Sequence, residues 1–286
     1  MYIFIFKLFI LGNGLVSCEN RTREFNAKLY PSSLYQNFEY DLSNPDTIFN
    51  LPPELVEISG LSNFNNSSLL AVQDEKGWVY QISTSSGKII RKIKFGKKGD
   101  YEGIEYVDSK VYVTNSNGTI YSFKWTEKSE IEAEVTKTSL KSSDNIEGLG
   151  SKKTKLLLTN KDGSKKNIYS FSTENNKLKS EPLATLTTKK IEEFIKQNKI
   201  HTVSKVKFKT SGIAVHPLTK ETYLLAHGGK AIIVLNEELK IKSYVQLNPY
   251  LFKQPEGICF TSDGTLYISN EGTFGNGTIL KYSLRK

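Results

Sequence analysis

The chain has 286 residues, 38% of them hydrophobic and 11% aromatic, and its formal net charge is +9. This length and apolar content can bury a large core in one long domain or two small ones, and the many Tyr and Phe residues suit half-buried strands. Lysine is spread along the whole chain while arginine is scarce, so the charge indicates a solvated lysine surface and argues against nucleic acid as a partner. Because the chain has two cysteines, a fold held together by several disulfides is excluded.

The N-terminal segment has the pattern of an export signal. Residues 1–17 are almost entirely apolar, with one charge at Lys7, and the apolar run has the length of a signal-peptide core and falls short of a membrane span. It ends in Leu15-Val16-Ser17-Cys18, which resembles the lipobox of bacterial lipoproteins, and polar sequence follows at once. An ordinary secretory signal that ends near a cysteine is the alternative, and Lys7 is irregular for either.

We therefore expect a lipoprotein signal peptide over residues 1–17 and cleavage before Cys18. The Cys18 thiol would receive a diacylglycerol and the new N-terminus a further acyl chain such as palmitate, and two or three acyl chains anchor a protein stably. Residues 18–35 would form a tether, and residues 36–286 the folded domain. The expected location is the bacterial cell envelope, with the chain anchored in a membrane and extracytoplasmic.

A pattern around a central glycine recurs along the rest of the chain. It reads Ile58-Ser59-Gly60-Leu61, Glu102-Gly103-Ile104, Glu147-Gly148-Leu149, Ser211-Gly212-Ile213 and Glu256-Gly257-Ile258. Three of the four intervals between these glycines are about 45 residues, the length of a four-stranded propeller blade. The remaining interval, between the third and fourth glycines, holds about twenty residues more than one blade needs.

The same order of strands follows each glycine. A short apolar stretch comes first, then a second apolar strand, a turn that contains glycine, a third strand, and a more polar fourth strand such as 88–93. In 120–125 the aromatic side chains alternate with other residues, which is the period of a strand. The second strands are 69–72, 111–114, 156–159, 223–226 and 266–269.

These repeats predict an all-β fold, namely a single β-propeller of four-stranded blades. Five blades are counted, and six is the alternative because the long interval or the N-terminal region has room for another. The segment 37–51 resembles a fourth strand and would complete the last blade, which closes the ring and removes exposed sheet edges. In the long interval, Ile191, Phe194 and Ile195 have helical spacing, which predicts a short helical insertion near 188–200 on the propeller rim.

Two sets of polar residues should meet at one end of the central channel, the mouth. Since neighbouring strands of a blade are antiparallel, the start of each innermost strand lies beside the end of the second strand. The starts carry Ser59, Glu102, Glu147, Ser211 and Glu256. The ends carry Asp74, Asn115, Asn160, His227 and Asn270.

The chemistry of these two sets allows two interpretations. Carboxylate and amide oxygens are the ligands that Ca²⁺ prefers, and converging carboxylates repel unless a cation or hydrogen bonds compensate, so the mouth is a candidate site for Ca²⁺ or another polar ligand. His227 could serve there as a general acid or metal ligand. Alternatively, these are structural parts of the repeat, with the glutamates bonded to a neighbouring blade and the asparagines and His227 in turns. Cys259, in a strand-like run, is expected to be a small buried hydrophobe.

Several runs resemble the SdiA-regulated family of bacterial propeller proteins. The resemblance covers about residues 56–286 and rests on the Glu-Gly-Ile/Leu repeats and on the runs 211–217, 254–258 and 263–272. It implies an envelope-associated propeller that is similar in fold to NHL-repeat, gluconolactonase-like and phytase-like propellers, and it implies no particular reaction. Some related propeller enzymes bind Ca²⁺ at the mouth, and the matching positions here are Glu102, Glu147, Glu256, Asn115, Asn160 and Asn270. Ser59 and Ser211 depart from that pattern, because a carboxylate there would complete the site.

Three functional hypotheses follow. The first is a binding module without enzymatic activity, a monomer anchored to the membrane by lipid, whose partner is a small molecule, a glycan or an envelope protein. It is favoured because the sequence has no nucleophile elbow, zinc-protease motif or EF-hand spacing. The second is a Ca²⁺-dependent hydrolase of the lactonase or phosphoesterase type, with His227, Asp74 or a mouth glutamate as the base. The third is a scaffold in the assembly of the envelope.

Overall fold

The computed structural model of the chain describes residues 29–202, 205–273 and 275–285, apart from the side chain of Ser32. The predicted signal peptide and the predicted lipidation site Cys18 lie outside these residues. Within the described ranges, no helix is long and apolar enough to cross a membrane.

The described residues form a propeller of five blades, as the repeat predicts. A single strand, β1 (Thr47–Asn50), precedes the first repeat. The first two blades contain β2 (Ile58–Asn65), β3 (Ser68–Gln73), β4 (Lys76–Ser83), β5 (Ile89–Lys98), β6 (Tyr101–Val107), β7 (Lys110–Asn115), β8 (Ile120–Lys124) and β9 (Glu134–Thr136). The other three contain β10 (Ile146–Lys152), β11 (Lys155–Asn160), β12 (Lys165–Ser172), β13 (Lys177–Leu178), β14 (Ala184–Thr187), β15 (Lys209–Val215), β16 (Thr222–Gly228), β17 (Ala231–Leu235), β18 (Ile241–Gln246), β19 (Pro255–Phe260), β20 (Leu266–Asn270) and β21 (Thr278–Tyr282).

The ring is closed by the N-terminal strand, which confirms the predicted closure. Strand β1 pairs antiparallel with β21, with Phe49 opposite Ile279, so the fifth sheet has the order β1-β21-β20-β19. The strand is shorter than the segment 37–51 that the sequence suggested. Short 3₁₀ helices at Ser32–Tyr35 and Pro53–Leu55 lie on either side of it.

The long interval contains a divided outer strand and the predicted helix. Strands β13 and β14 both pair with β12, so together they form the outer edge of the third blade. Helix α1 (Thr188–Gln197) follows, and the Thr187 hydroxyl oxygen caps it by accepting the Lys190 N–H at 3.2 Å. Its buried face, Ile191 and Ile195, packs in one cluster with residues of the third and fourth blades. The long interval therefore contains an insertion on the rim, and the described residues form no sixth blade.

The segment before β1 packs between the fourth and fifth blades. Tyr35, Tyr40 and Leu42 are fully buried there, and the Tyr35 hydroxyl donates to the Gln246 carbonyl at 3.0 Å. The packed structure thus includes Tyr35, one residue before the expected start of the domain. His216 is also fully buried, and its Nδ1 accepts the N–H groups of the following turn.

Cys259 lies in β19 and is 4% exposed, as expected of a small buried hydrophobe. Burial raises the pKa of its thiol well above the ordinary range, and this keeps the group neutral.

Candidate functional site

A β-bulge opens the innermost strand of every blade at the mouth. In each blade the pairing between the first and second strands shifts register at the motif glycine, for example between Tyr101 and Gly103 and between Ile146 and Gly148. A bulge leaves one residue outside the ladder and re-aims its side chain. The residues inside the bulges are Ser59, Glu102, Glu147, Ser211 and Glu256.

The motif glycines let neighbouring blades approach closely around the axis. A Cβ on Gly103 would lie 2.6 Å from the Leu149 Cβ and 2.8 Å from the Leu149 nitrogen, and one on Gly257 would lie 2.7 Å from the Leu61 Cβ. The space that the five motifs leave between them is about 10 Å³, near the smallest volume that admits one water molecule. The axis beneath the mouth is therefore packed, and the described residues leave no wide channel there.

The two serines of the first ring join blades to each other. The Ser59 hydroxyl donates to the Tyr101 carbonyl at 2.6 Å, and the Ser211 hydroxyl donates to the Pro255 carbonyl at 2.7 Å. Each accepting carbonyl belongs to the next blade, directly before its own bulge residue. At these two positions the side chain joins neighbouring blades, through a bond from its hydroxyl to a carbonyl.

The glutamates of the first ring face a lysine and a histidine. Glu147 is 3% exposed, and its Oε1 lies 3.0 Å from the Nζ of Lys161. Glu256 is 6% exposed, and its Oε1 lies 3.3 Å from the Nδ1 of His227. That pair is close but is not aligned as a hydrogen bond. For Glu102, no hydrogen bond or ion-pair contact reaches the carboxylate from the described residues.

Burial and mutual repulsion raise the pKa values of Glu102 and Glu147. Burial, followed by the charge of Glu147, raises the pKa of Glu102 far above the ordinary glutamate range. Burial also raises the pKa of Glu147, although Lys161 works against it. Burial is the largest single influence on Lys161 and would lower its pKa, but Glu147, Glu256 and Glu102 together outweigh it and the net pKa is raised. The ammonium thus supplies the compensating charge that converging carboxylates require.

The second ring divides into residues that hold turns and residues with an unpaired acceptor. Asn160 accepts the Asn167 N–H at 2.7 Å and donates to two carbonyls of its own turn, and Asn115 accepts the Thr119 N–H at 3.2 Å. By contrast, the Oδ1 atoms of Asp74 and Asn270 are buried without a hydrogen-bond partner among the described residues. The turn interpretation therefore accounts for Asn115 and Asn160, whereas it leaves the Oδ1 acceptors of Asp74 and Asn270 unused.

The mouth is acidic although the chain as a whole is basic. Burial, followed by the charge of Glu57, raises the pKa of Asp74 to about 6. Burial, followed by the charge of Glu256, raises the pKa of Glu271 to about 7. Clusters of carboxyl groups with raised pKa values are unfavourable in their charged form, and such clusters are often found at functional sites.

Sequence reasoning missed Lys161 and Glu271. Each directly follows an end of a second strand, Asn160 or Asn270, so the same antiparallel geometry that selected the ring also brings the next residue to the mouth. That adjacency was the available signal.

The donor set does not favour a resident metal ion. Within the described residues, no three His, Cys, Asp or Glu side chains come together closely enough to hold one. The Lys161 ammonium already lies beside Glu147, where a cation would bind. Calcium at this mouth would have to displace that lysine, so the Ca²⁺ site expected from the sequence stays a prediction.

The comparisons with known proteins agree with the fold and the repeat. A family model described as SdiA-regulated matches residues 35–274. Among curated proteins, none matches the chain.

Solved propellers resemble the chain in fold at low identity. Glutaminyl cyclase of Myxococcus xanthus aligns with a TM-score of 0.58 and 10% identity, over 84% of this chain and 95% of that one. A luciferin-regenerating enzyme aligns with a TM-score of 0.53 and 13% identity, over 84% and 95%. The PQQ-bound aldose sugar dehydrogenase of Streptomyces coelicolor aligns with a TM-score of 0.50 and 11% identity, over 85% and 100%. At such identities the likeness extends to the fold alone.

Proposed function

Since the chain belongs to the SdiA-regulated family, we propose that it is a lipid-anchored binding protein of the bacterial cell envelope whose acidic mouth receives a positively charged, polar ligand. One observation carries the proposal: Asp74 and Asn270 each keep a buried acceptor without a hydrogen-bond partner among the described residues, and the charges of Asp74 and Glu256 both act on Glu271, which follows Asn270. A buried acceptor without a partner destabilises a fold by about 1–3 kcal/mol. A ligand that donates to these atoms would remove that penalty.

The anchor is supported by the run Leu15-Val16-Ser17-Cys18 at the end of an apolar segment. We expect intact mass spectrometry of the protein extracted from membranes to show a mature chain that starts at Cys18 and carries acyl chains. Cys18→Ala should abolish the acylation and leave the precursor uncleaved. A mature chain that begins elsewhere and carries no lipid would contradict the anchor and leave the binding function open.

An organic ammonium suits the mouth better than Ca²⁺ does, because it brings several N–H donors to the free acceptors and demands no fixed set of oxygen ligands. We expect an amine such as putrescine to raise the Tm of the full chain, since a ligand that binds only the folded state stabilises it by about 2.7 kcal/mol at a hundred times its Kd. EDTA and added Ca²⁺ should leave the Tm unchanged. Glu102→Gln and Asp74→Asn should weaken the shift produced by the amine.

The matched control is Glu238→Gln, an exposed residue in the turn after β17, at the opposite end of the blade; it should not alter the shift. If metal analysis found stoichiometric Ca²⁺ and EDTA lowered the Tm, the mouth would be a metal site. Hydrolysis of lactones and phosphoesters, and its loss in Glu147→Gln, would then be the next test. If neither the amine nor Ca²⁺ changed the Tm, the mouth would not be a cation-binding site.

A further inference from the structure

A cavity of about 210 Å³ lies in the fifth blade and shares residues with the mouth. Asn270 and Glu271 form its inner wall, while Leu251, Leu280 and Tyr250 supply apolar surface. The volume is below the roughly 300–1,000 Å³ of a pocket for a drug-sized ligand. It therefore fits a small body, such as one aromatic ring or a short aliphatic chain.

The polar wall of the cavity combines acceptors with one cation, because Lys253 also lines it. Asn270 is 3% exposed, and both donors of its amide are used, by the Leu251 carbonyl at 3.2 Å and the Thr278 hydroxyl oxygen at 3.2 Å. These two bonds fix the orientation of the amide, so its unpaired Oδ1 cannot exchange places with the amide nitrogen. The Glu271 carboxylate beside it accepts from the Gln254 amide through one oxygen. A ligand at this wall must therefore bring donors.

The apolar part of the cavity includes an unusually exposed aromatic ring. Tyr250 is 52% exposed, among the most exposed large hydrophobic residues of the described chain, and its backbone is held by the Asn248 side chain, which accepts the Tyr250 N–H at 3.0 Å. A fixed backbone that carries an exposed ring next to a cavity offers a flat apolar surface without large loss of conformational entropy on binding.

We propose that the ligand of the mouth is a primary amine with a small apolar or aromatic body, which places its ammonium group on Asn270 Oδ1 and Glu271 and its body against Tyr250, Leu251 and Leu280. This inference rests on the proposed function and specifies its ligand. The ammonium pairs with the charge of Glu271 and carries further N–H donors for the Asn270 oxygen. A hydroxyl, with a single donor and no charge, satisfies only one of them.

The test compares 2-phenylethylamine with 2-phenylethanol, which has the same body and a hydroxyl in place of the ammonium, by calorimetric titration of the full chain. At about pH 8 we expect the amine to bind at least about tenfold more tightly, a difference of about 1.4 kcal/mol. Glu271→Gln should remove the preference for the amine, and Tyr250→Ala should weaken both compounds. The control Leu218→Ala, at an exposed residue in the turn between β15 and β16, should change neither.

Each contrary result has a separate meaning. Equal binding of the amine and the alcohol would overturn the ammonium as the recognised group. Amine binding that survives Glu271→Gln and Tyr250→Ala but is lost in Glu102→Gln would place the ligand at the centre of the mouth; the proposed function would stand and the cavity would not be its site. If 2-phenylethylamine failed to bind while putrescine raised the Tm, the proposal that the ligand carries an apolar or aromatic body would be wrong. If neither bound, both proposals would fail.

Discussion

Lys161→Met should destabilise the propeller by about 2–3 kcal/mol at pH 8, because it leaves Glu147 buried with no counter-charge. The Glu147 side chain is 3% exposed and Lys161 is 24% exposed, so the pair lies mostly out of water. Removing one partner of a buried pair is more harmful than removing both. The double variant Lys161→Met with Glu147→Gln should therefore recover most of the loss.

The loss should depend on pH in a defined direction. Burial already raises the pKa of Glu147, and without Lys161 the pKa rises further. The folded state then holds a proton that the unfolded state releases near the ordinary glutamate pKa of about 4.3. Stability of the variant therefore falls as the pH rises from about 4.3 through the raised pKa, and near pH 4.5 the variant should approach the parent chain. Urea unfolding at several pH values measures this.

A second lysine on the same side of the propeller provides the matched control. The Nζ of Lys209 lies 3.0 Å from Asp162, but these side chains are 55% and 50% exposed. Lys209→Met should therefore lower the stability by at most about 1 kcal/mol, with little dependence on pH. If the two lysine variants lost equal stability, Lys161 would not be balancing a buried charge.

Gly103→Ala should destabilise the propeller by about 3 kcal/mol, since the added Cβ would lie 2.6 Å from the Leu149 Cβ. Relief would require the second and third blades to separate, because the Leu149 backbone is also within 2.8 Å. We expect a fall in Tm of about 6–10 °C, by the ordinary scaling for domains of this size.

Two further glycines show whether the contact is the cause. At Gly60 the nearest backbone atoms would be 3.0 Å from the new Cβ, so Gly60→Ala should be less harmful than Gly103→Ala and should fold if the latter does not. Gly163→Ala adds a methyl group where the nearest atom is 4.0 Å away, so no clash results. The backbone strain at its φ of +81° should be the only cost, a loss of stability of about 1 kcal/mol. A loss at Gly103 no greater than at Gly163 would contradict close blade contact at the axis.

The inner strands of each blade could be predicted from the sequence because they are buried on both faces. The run Leu156–Thr159 is mostly apolar and lies wholly inside β11. The outer strands gave little signal: β9 has three residues that are all at least partly exposed, and β13 and β14 divide one strand position between them. A short strand with one neighbour and one solvated side has no pattern that distinguishes it from a loop.

The residues of the mouth were predictable, but their roles were not. The glycine near the start of each innermost strand marks the residue before it as one that faces the mouth. This pattern selected Glu102 and Ser59 in the same way. Whether a residue bonds internally depends on the neighbouring blade, which is about 45 residues away in sequence. Thus Ser59 proved to be bonded to the next blade and Asn160 to its own turn, while Asn270 keeps a free acceptor. The cavity beside Asn270 depends on two loops whose relative position no local pattern encodes.

The pairing of β1 with β21 constrains when the protein can fold during synthesis. Strand β1 is among the first parts of the folded domain to be made, but its only partner strand, within the described residues, is Thr278–Tyr282 near the end of the chain. Until that segment has been made, β1 has no ladder to join and the fifth blade presents an open edge, which invites pairing with other chains. Completion of the ring is thus a late step with a large loop-closure entropy, and nascent chains that stop before Thr278 should be the aggregation-prone species.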